Sequence, residues 1–355
     1  MAVSQSRFMA PERVEDEAIS SCFCNHNHPG FCPADCGFDY PHQWVISYDT
    51  IPNQRGNKGM NKAMIILNPS SGKEKALDYS NRIEEVLRRK GYEVARKETA
   101  QALDATRFCQ AACREGCDLV VSVGGDGTLN ETINGIMDQD HRPKLGIVPL
   151  GTVNDFARAL RIPLDPEEAI RALSSSNVRT VDLGQLNGRL FSNVVAAGSL
   201  AESVAAVSSE EKSRLGALAY LKEGIKELLG SPAHPIVVEH DGEIWEGDSP
   251  LVLAALTNSV GGFEKLSPNA SVDDGLIHGF IIRDMNVFDT IAAGLSLWFG
   301  SLKDKKEVVY FTAKKIRITS PKPLRTNVDG DEGPALPVEL SILPGYLQVI
   351  VPEEG

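Results

Sequence analysis

Between residues 60 and 150 the chain alternates short apolar runs with longer stretches in which apolar positions recur every three or four residues. The runs 63–67, 92–97, 119–123 and 145–149 read as buried-type strands. The stretches between them read as helices, one running to about Lys90 and one over 103–115. Gly91 and Gly116 follow these helices as C-terminal caps. Asp165, Pro166 and Glu168 supply the cap, first-turn proline and capping-box acid of a further helix. Such alternation predicts a mostly parallel sheet with helices on its faces and a ligand site at the carboxyl ends of the strands.

From Thr180 the pattern shortens. TVDLGQL, a hairpin turn at Asn187 and Gly188, and RLFSNVVAAG are followed by the β-like runs PIVVEH, LVLAALTN, LIHGFII, EVVYFTA and KIRITS. The expected fold class is α/β: an N-terminal three-layer α/β nucleotide-binding domain with a mostly parallel sheet, then a C-terminal β-sandwich. Residues 1–59 lack periodicity and read as a poorly ordered extension. Residues 60–184 form the first domain, 185–337 the second, and a strand over 338–352 is free to return to the first. Two helical stretches interrupt the sandwich: 213–229 is amphipathic, and 287–302 is strongly apolar with Trp298 and Phe299 near its end. Each reads as core or as a lipid-facing surface. The nearby Lys303, Lys305, Lys306, Lys314, Lys315 and Arg317 read as a solvated surface.

The densest chemistry lies in DLVVSVGGDGTLNETINGI, residues 118–136, a strand that stops at Gly124, Gly125, Asp126, Gly127 and Thr128 before a helix begins. Glycines there permit positive φ and leave no Cβ in the way, so backbone N–H groups can close on a phosphate beside a helix N-terminus. Asp126 would repel bare phosphate, which implies a cation or a ligand hydroxyl between them, and a phosphate donor held through magnesium fits best. No GxxxxGK[ST] loop is present, and Asn130 stands where a dinucleotide fingerprint needs its third glycine. Asn68 to Lys73 and the turn at Gly151, Thr152, Asn154 and Asp155 also follow strands, and should meet the first loop at one sheet edge. Farther on, VDDG (272–275) suits a β-turn or a hard-cation site, and NVDGDEG (327–333) groups Asp329, Asp331 and Glu332 at a hairpin. Asp329 and Gly330 alone would explain the turn.

A net charge of −12 over 355 residues excludes ordinary nucleic-acid binding, which rests on neutralising phosphates. No apolar run reaches the ~18 residues of a membrane span, and the first residues do not resemble a secretory signal, so the expected location is cytoplasmic. Cys109, Cys113 and Cys117 recur every fourth residue along a predicted helix as packing residues. Cys22, Cys24, Cys32 and Cys36, with His26 and His28, offer zinc ligands at a spacing that matches no common module.

GGDGTLNE (124–131), NPSSG (68–72), PLGTVNDFAR (149–158), TNSVGGFEKL (257–266), VDDG and NVDGDEG together resemble the bacterial soluble diacylglycerol kinases, in matching order from residue 60 onward. The resemblance implies ATP-dependent phosphorylation of 1,2-diacylglycerol to phosphatidic acid, with magnesium, at the inner face of the membrane. By motif match, Asn68, Pro69, Ser70, Ser71, Gly72, Thr99, Gly125, Asp126, Gly127, Thr128, Leu129, Asn130, Glu131 and Thr152 would bind ATP. Asp126, Asp155 and Asp182 would organise the catalytic magnesium. Ser271 and Leu276 carbonyls with the Asp274 carboxylate would hold a second, structural one. Asp331 stands where the family has its glutamate base, one methylene shorter, with Glu332 as the second choice. The expected partners are ATP, diacylglycerol and transiently the membrane surface, with no nucleic acid; a homodimer is allowed. The rival readings are a kinase of a sphingoid base or isoprenoid alcohol, an NAD kinase, and a non-catalytic lipid sensor.

Overall fold

A computed structural model of the protein describes residues 60–72, 76–198, 232–259, 270–283 and 308–353, all within one compact unit, residues 56–355. The cysteine and histidine cluster of the first 59 residues, Lys73, the helical stretches 213–229 and 287–302, Lys303, Lys305 and Lys306, and the whole of GGFEKL lie outside the described residues.

The first sheet begins as the alternating pattern requires. β1 (Asn61–Leu67), β2 (Tyr92–Glu98), β3 (Leu119–Gly124) and β4 (Lys144–Pro149) are parallel in the order β2-β1-β3-β4. α1 (Ala76–Arg89), α2 (Asp104–Arg114) and α3 (Asp126–Asn134) connect them, and the helices α4 (Asp155–Ala159) and α5 (Pro166–Ala172) follow β4. Met64, Ile65, Ile66, Val120 and Val121 are fully buried in one core with Ile83, Leu87 and Ile133 of the helices. Burial on both sheet faces is why these strands read as continuous apolar runs. Cys109, Cys113 and Cys117 are buried free thiols in the same core. At α5 the Asp165 carboxylate accepts the Glu168 N–H at 3.0 Å, while the Glu168 side chain lies 3.6 Å from Arg171.

β5 (Val178–Leu186) turns at Asn187 and Gly188, both with positive φ, into β6 (Arg189–Phe191). The run RLFSNVVAAG, expected to be one strand, is two. It breaks at Ser192 and Asn193, and β7 (Val194–Gly198) enters a second sheet. β8 (His234–His240), β9 (Glu243–Ser249), β13 (Lys315–Thr319) and β16 (Val338–Ile350) extend the first sheet. β9 was not anticipated, because EIWEGDS is charged and half exposed; the positive-φ turn at Asp241 and Gly242 creates it. β16 pairs in parallel with β4 and antiparallel with β5 and β13.

The second sheet is antiparallel, in the order β12 (Val308–Ala313), β11 (Ile277–Ile282), β10 (Leu251–Ala255), β7, β14 (Arg325–Val328), β15 (Asp331–Ala335). A second core joins the two sheets: Val195, Ala254, Ile281 and Val328 face Ile236, Ile316, Val338 and Leu340. The molecule is therefore α/β with a mostly parallel N-terminal sheet and a sandwich-like antiparallel sheet.

Where β5 pairs with β6, the Phe191 ring lies over Gly184, and a Cβ on residue 184 would stand 2.1 Å from its Cζ. Gly184→Ala should cost about 1–3 kcal/mol. Adding Phe191→Leu should return much of the lost melting temperature, because the two sites share one volume; additive losses in thermal melts would refute the contact.

Candidate active site

Three loops meet at the carboxyl ends of β1, β3 and β4. Asn68 fixes the first. Its N–H donates to the Val123 carbonyl at 3.0 Å and its Nδ2 to Thr128 Oγ1 at 3.2 Å, while its Oδ1 accepts the Ser70 N–H and hydroxyl. The Ser71 N–H closes the turn on the Asn68 carbonyl, and Pro69 lies between them, half-buried. Gly72, at φ 64°, packs on Leu150 of the third loop. Thr99 extends β2 by donating its N–H to the Leu67 carbonyl at 2.8 Å.

In the second loop the glycines work differently from the expectation. None of Gly124, Gly125 and Gly127 is among the positive-φ residues. Gly124 and Gly125 serve close approach: a Cβ on Gly124 would stand 2.6 Å from Thr128 Oγ1, one on Gly125 3.1 Å from Gly151 Cα, and one on Gly151 2.7 Å from Gly125 Cα, whereas one on Gly127 would meet nothing within 4 Å. Two backbones thus touch at the strand ends, and no side chain caps α3 at Gly125. Gly127 and Thr152 are exposed there, whereas Thr128 and Leu129 are buried and anchor the helix. This leaves a helix N-terminus open to an anion.

Asp126 begins α3, and its carboxylate accepts the N–H groups of Asn154 and Asp155 at 2.8 and 3.1 Å. Asn154 is left-handed, at φ 54°, and exchanges two hydrogen bonds with the Gly151 backbone. Asp155 is buried and accepts the Ser259 hydroxyl at 2.9 Å. By surface the Asp126 side chain is only half-buried, but protein atoms crowd its carboxylate. That desolvation, ahead of the Asp155 charge, pushes its pKa up to about 6. Two neighbouring carboxylates in a poorly solvated place call for positive charge, and their oxygens fit a hard divalent cation such as magnesium. Among the described residues no three His, Cys, Asp or Glu side chains gather into a metal cluster, so phosphate oxygens and water would have to complete the shell.

The remaining motif residues divide between ligand loops and scaffold. The Glu131 carboxylate accepts the N–H groups of Leu103 and Ala105, tying α3 to the start of α2. Asn130 is buried, with Nδ2 donating to Asp329 at 2.9 Å and Oδ1 accepting from Arg189 at 3.1 Å. The same Arg189 Nη2 lies 3.2 Å from Asp331 Oδ2. Glu332, next along β15, pairs instead with Arg325. Asp329 accepts the N–H groups of Ser192, Asn193 and Val194, the Ser192 hydroxyl and the Asn130 amide; burial pushes its carboxyl upward despite these donors.

Asp182 is bound differently from Asp126 and Asp155. Its two oxygens accept the N–H groups of Gly275 and Gly345 at 2.6 and 2.7 Å, tying the VDDG loop to a bend in β16. None of its hydrogen bonds among the described residues reaches Asp126 or Asp155. In the VDDG loop, Asp274 accepts the N–H groups of Ser271 and Leu276 and contacts His278 Nε2 at 2.9 Å, while the Ser271 carbonyl accepts the Asp274 N–H. Asp273 pairs with Arg179, whose hydrogen bond holds its carboxyl below the usual range. Arg189, Asp329 and His278 carried no sequence signal of these roles: Arg189 sits in an ordinary hairpin, and Asp329 read as a turn residue.

Glycine loops at strand ends, an open helix N-terminus and paired acids define a nucleotide-dependent phosphotransferase of the α/β class. Residues 62–186 match the family described as diacylglycerol kinase catalytic domain, and residues 193–351 the YegS C-terminal NAD kinase beta sandwich-like domain. The chain is 36% identical over 296 residues to a diacylglycerol kinase of Bacillus subtilis, covering 83% of this chain and 98% of that one. It is 37% identical over 295 residues to one of Staphylococcus haemolyticus, covering 82% and 88%. A crystal structure of a diacylglycerol kinase from Bacillus anthracis superposes with a TM-score of 0.71 at 26% identity, covering 83% of this chain and 98% of that one. The chain belongs to the diacylglycerol kinase family.

Because the fold raises the Asp126 pKa from 3.8 to about 6, the folded state holds that proton more tightly than the unfolded chain does. This contribution to stability is fully present below 3.8 and is lost as pH rises to about 6. Magnesium should therefore raise the melting temperature more at pH 7.5 than at pH 5, where protons compete. Asp126→Asn should remove most of that difference; a magnesium effect unchanged in the variant would place the cation elsewhere.

Proposed function

We propose that the protein transfers the γ-phosphoryl group of ATP to the free hydroxyl of 1,2-diacylglycerol, giving phosphatidic acid for phospholipid metabolism. The observation that carries this reading is the link from Asn130 on α3 through Arg189 to Asp331, which joins a carboxylate to the phosphate loop through a single guanidinium. ATP would lie over the loops at 68–72 and 124–131, with Thr99 and Thr152 beside it. Asp126 and Asp155 would hold magnesium, whose charge offsets that of the phosphates when bound. Asp182 would support that cation site through the scaffold it ties together.

Asp331 would take the hydroxyl proton, while the open N–H groups of α3 receive the negative charge that develops on the transferring group. Asp331 is favoured over Glu332 because successive side chains of β15 alternate faces, and Asp331 alone of the two shares an arginine with Asn130. Residues 60–184 with the returning β16 would serve ATP, and residues 185–337 the lipid. Among the described residues no helix is long and apolar enough to cross a membrane. Transient docking on the inner membrane face from the cytoplasm would bring the lipid, and a homodimer is compatible with the fold.

The test offers diacylglycerol, sphingosine, undecaprenol and NAD with labelled ATP and magnesium. Labelled phosphatidic acid is expected, lost by about a hundredfold or more in Asp331→Asn and little changed in Glu332→Gln. Arg189→Ala should lower kcat more than it raises the KM for ATP. Label on another acceptor would keep the ATP site and refute the lipid assignment.

A further inference from the structure

The Asn327 amide on β14 is only 5% exposed, and its Oδ1 accepts the Gly330 N–H at 3.0 Å. Its Nδ2 has no partner, alone in this among buried side-chain polar atoms of the described residues. Native structures rarely leave a buried donor unpaired unless something else claims it. Register shows what lies alongside. Asn327 is opposite Ala196 on β7, Ala196 opposite Leu253 on β10, Leu253 opposite Phe280 on β11, and Phe280 opposite Tyr310 on β12.

Directly opposed residues share a sheet face. Asn327 therefore ends an apolar row on the face away from Val195, Ala254 and Val328, which form the core between the sheets, and Glu332 on β15 stands opposite it at that end. Five strands make that row on the order of 19 Å long. Ala196, Leu253 and Tyr310 are only partly covered, while Phe280 between Leu253 and Tyr310 is fully buried. Asp331, opposite Val328, stands on the other face of the same hairpin. Between the two is the tip at Gly330, where an added Cβ would meet nothing within 4 Å.

We propose that Asn327 Nδ2 donates a hydrogen bond to an ester carbonyl of the acceptor lipid, whose chain follows the apolar row while its hydroxyl passes over the hairpin tip to Asp331. An amide N–H needs an acceptor. An anionic one would meet Asp329, Asp331 and Glu332 at the same hairpin, and the ammonium of a sphingoid base, unlike its hydroxyls, accepts nothing. A neutral carbonyl attached to an apolar chain satisfies both the donor and the row. The inference deepens the lipid kinase reading and rests on it.

The test compares kcat/KM for a 1,2-diacylglycerol and its 1,2-dialkyl ether analogue, in mixed micelles, for the wild type, Asn327→Leu and Asn327→Asp. The wild type should prefer the diester by about tenfold, the size of one neutral hydrogen bond. In both variants the preference should fall to ~twofold or less, through the KM for lipid and not that for ATP. Asn327→Asp keeps an oxygen for the Gly330 N–H, so the test stands if the leucine variant does not fold. Discrimination retained in either folded variant overturns the inference, as does a wild type that phosphorylates both lipids equally. A wild type inactive on diacylglycerol overturns the kinase reading itself, a distinguishable result.

Discussion

The structure turns on one carboxylate. Asp329 receives three consecutive backbone N–H groups, from Ser192, Asn193 and Val194, at the point where the chain leaves the first sheet after β6 and enters the second at β7. A strand that breaks between sheets leaves main-chain donors without ladder partners, and burying them unpaired would cost more than most single contacts return. Asp329 satisfies them from a hairpin 135 to 137 residues away and reaches Asn130 as well. Helix α3, the sheet crossover and the 327–333 hairpin are thereby held at one side chain, and Arg189 adds Asp331 to the same network.

Around that junction the site gathers like charges. Asp126 and Asp155 are neighbours where solvent screens poorly, and Asp329 adds to the field at Asp126. A fold selected for stability alone would disperse such acids, so their concentration reads as a requirement of the ligand. The cost is contained by rigid surroundings. Gly125 and Gly151 touch backbone to backbone, and Asn154 locks its own loop through two bonds to Gly151. Carboxylates held this way would need little rearrangement to receive a cation and phosphates.

The parallel half of the fold was legible because its strands are buried on both faces and its helices are amphipathic; both patterns are local. The glycine turn after β3 was legible for the same reason, although Gly124 and Gly125 serve close approach where positive φ was expected. The two-sheet split of RLFSNVVAAG was not, since nothing in those ten residues reveals that Asp329 will replace ladder bonds at Ser192 and Asn193. β9 escaped notice because a charged edge strand carries no alternating apolar signal. Motif positions did not disclose roles either: Glu131 caps α2, and Asp182 braces the VDDG loop against β16. Such partners are set by long-range packing, which spacing along the chain does not encode.

β16 also bears on the order of assembly. Its thirteen residues pair with β4, β5 and β13, so the sheet that begins at residue 61 is completed only by residues 338–350. A chain emerging from the ribosome can form β1 to β4 with their helices, but it presents β4 as an unpaired edge until nearly two hundred further residues have been made. Long-range closure of this kind slows folding and leaves the nascent half exposed to mispairing. The two halves of this protein are therefore matured together, by a strand that neither half possesses until residues 338–350 have been made.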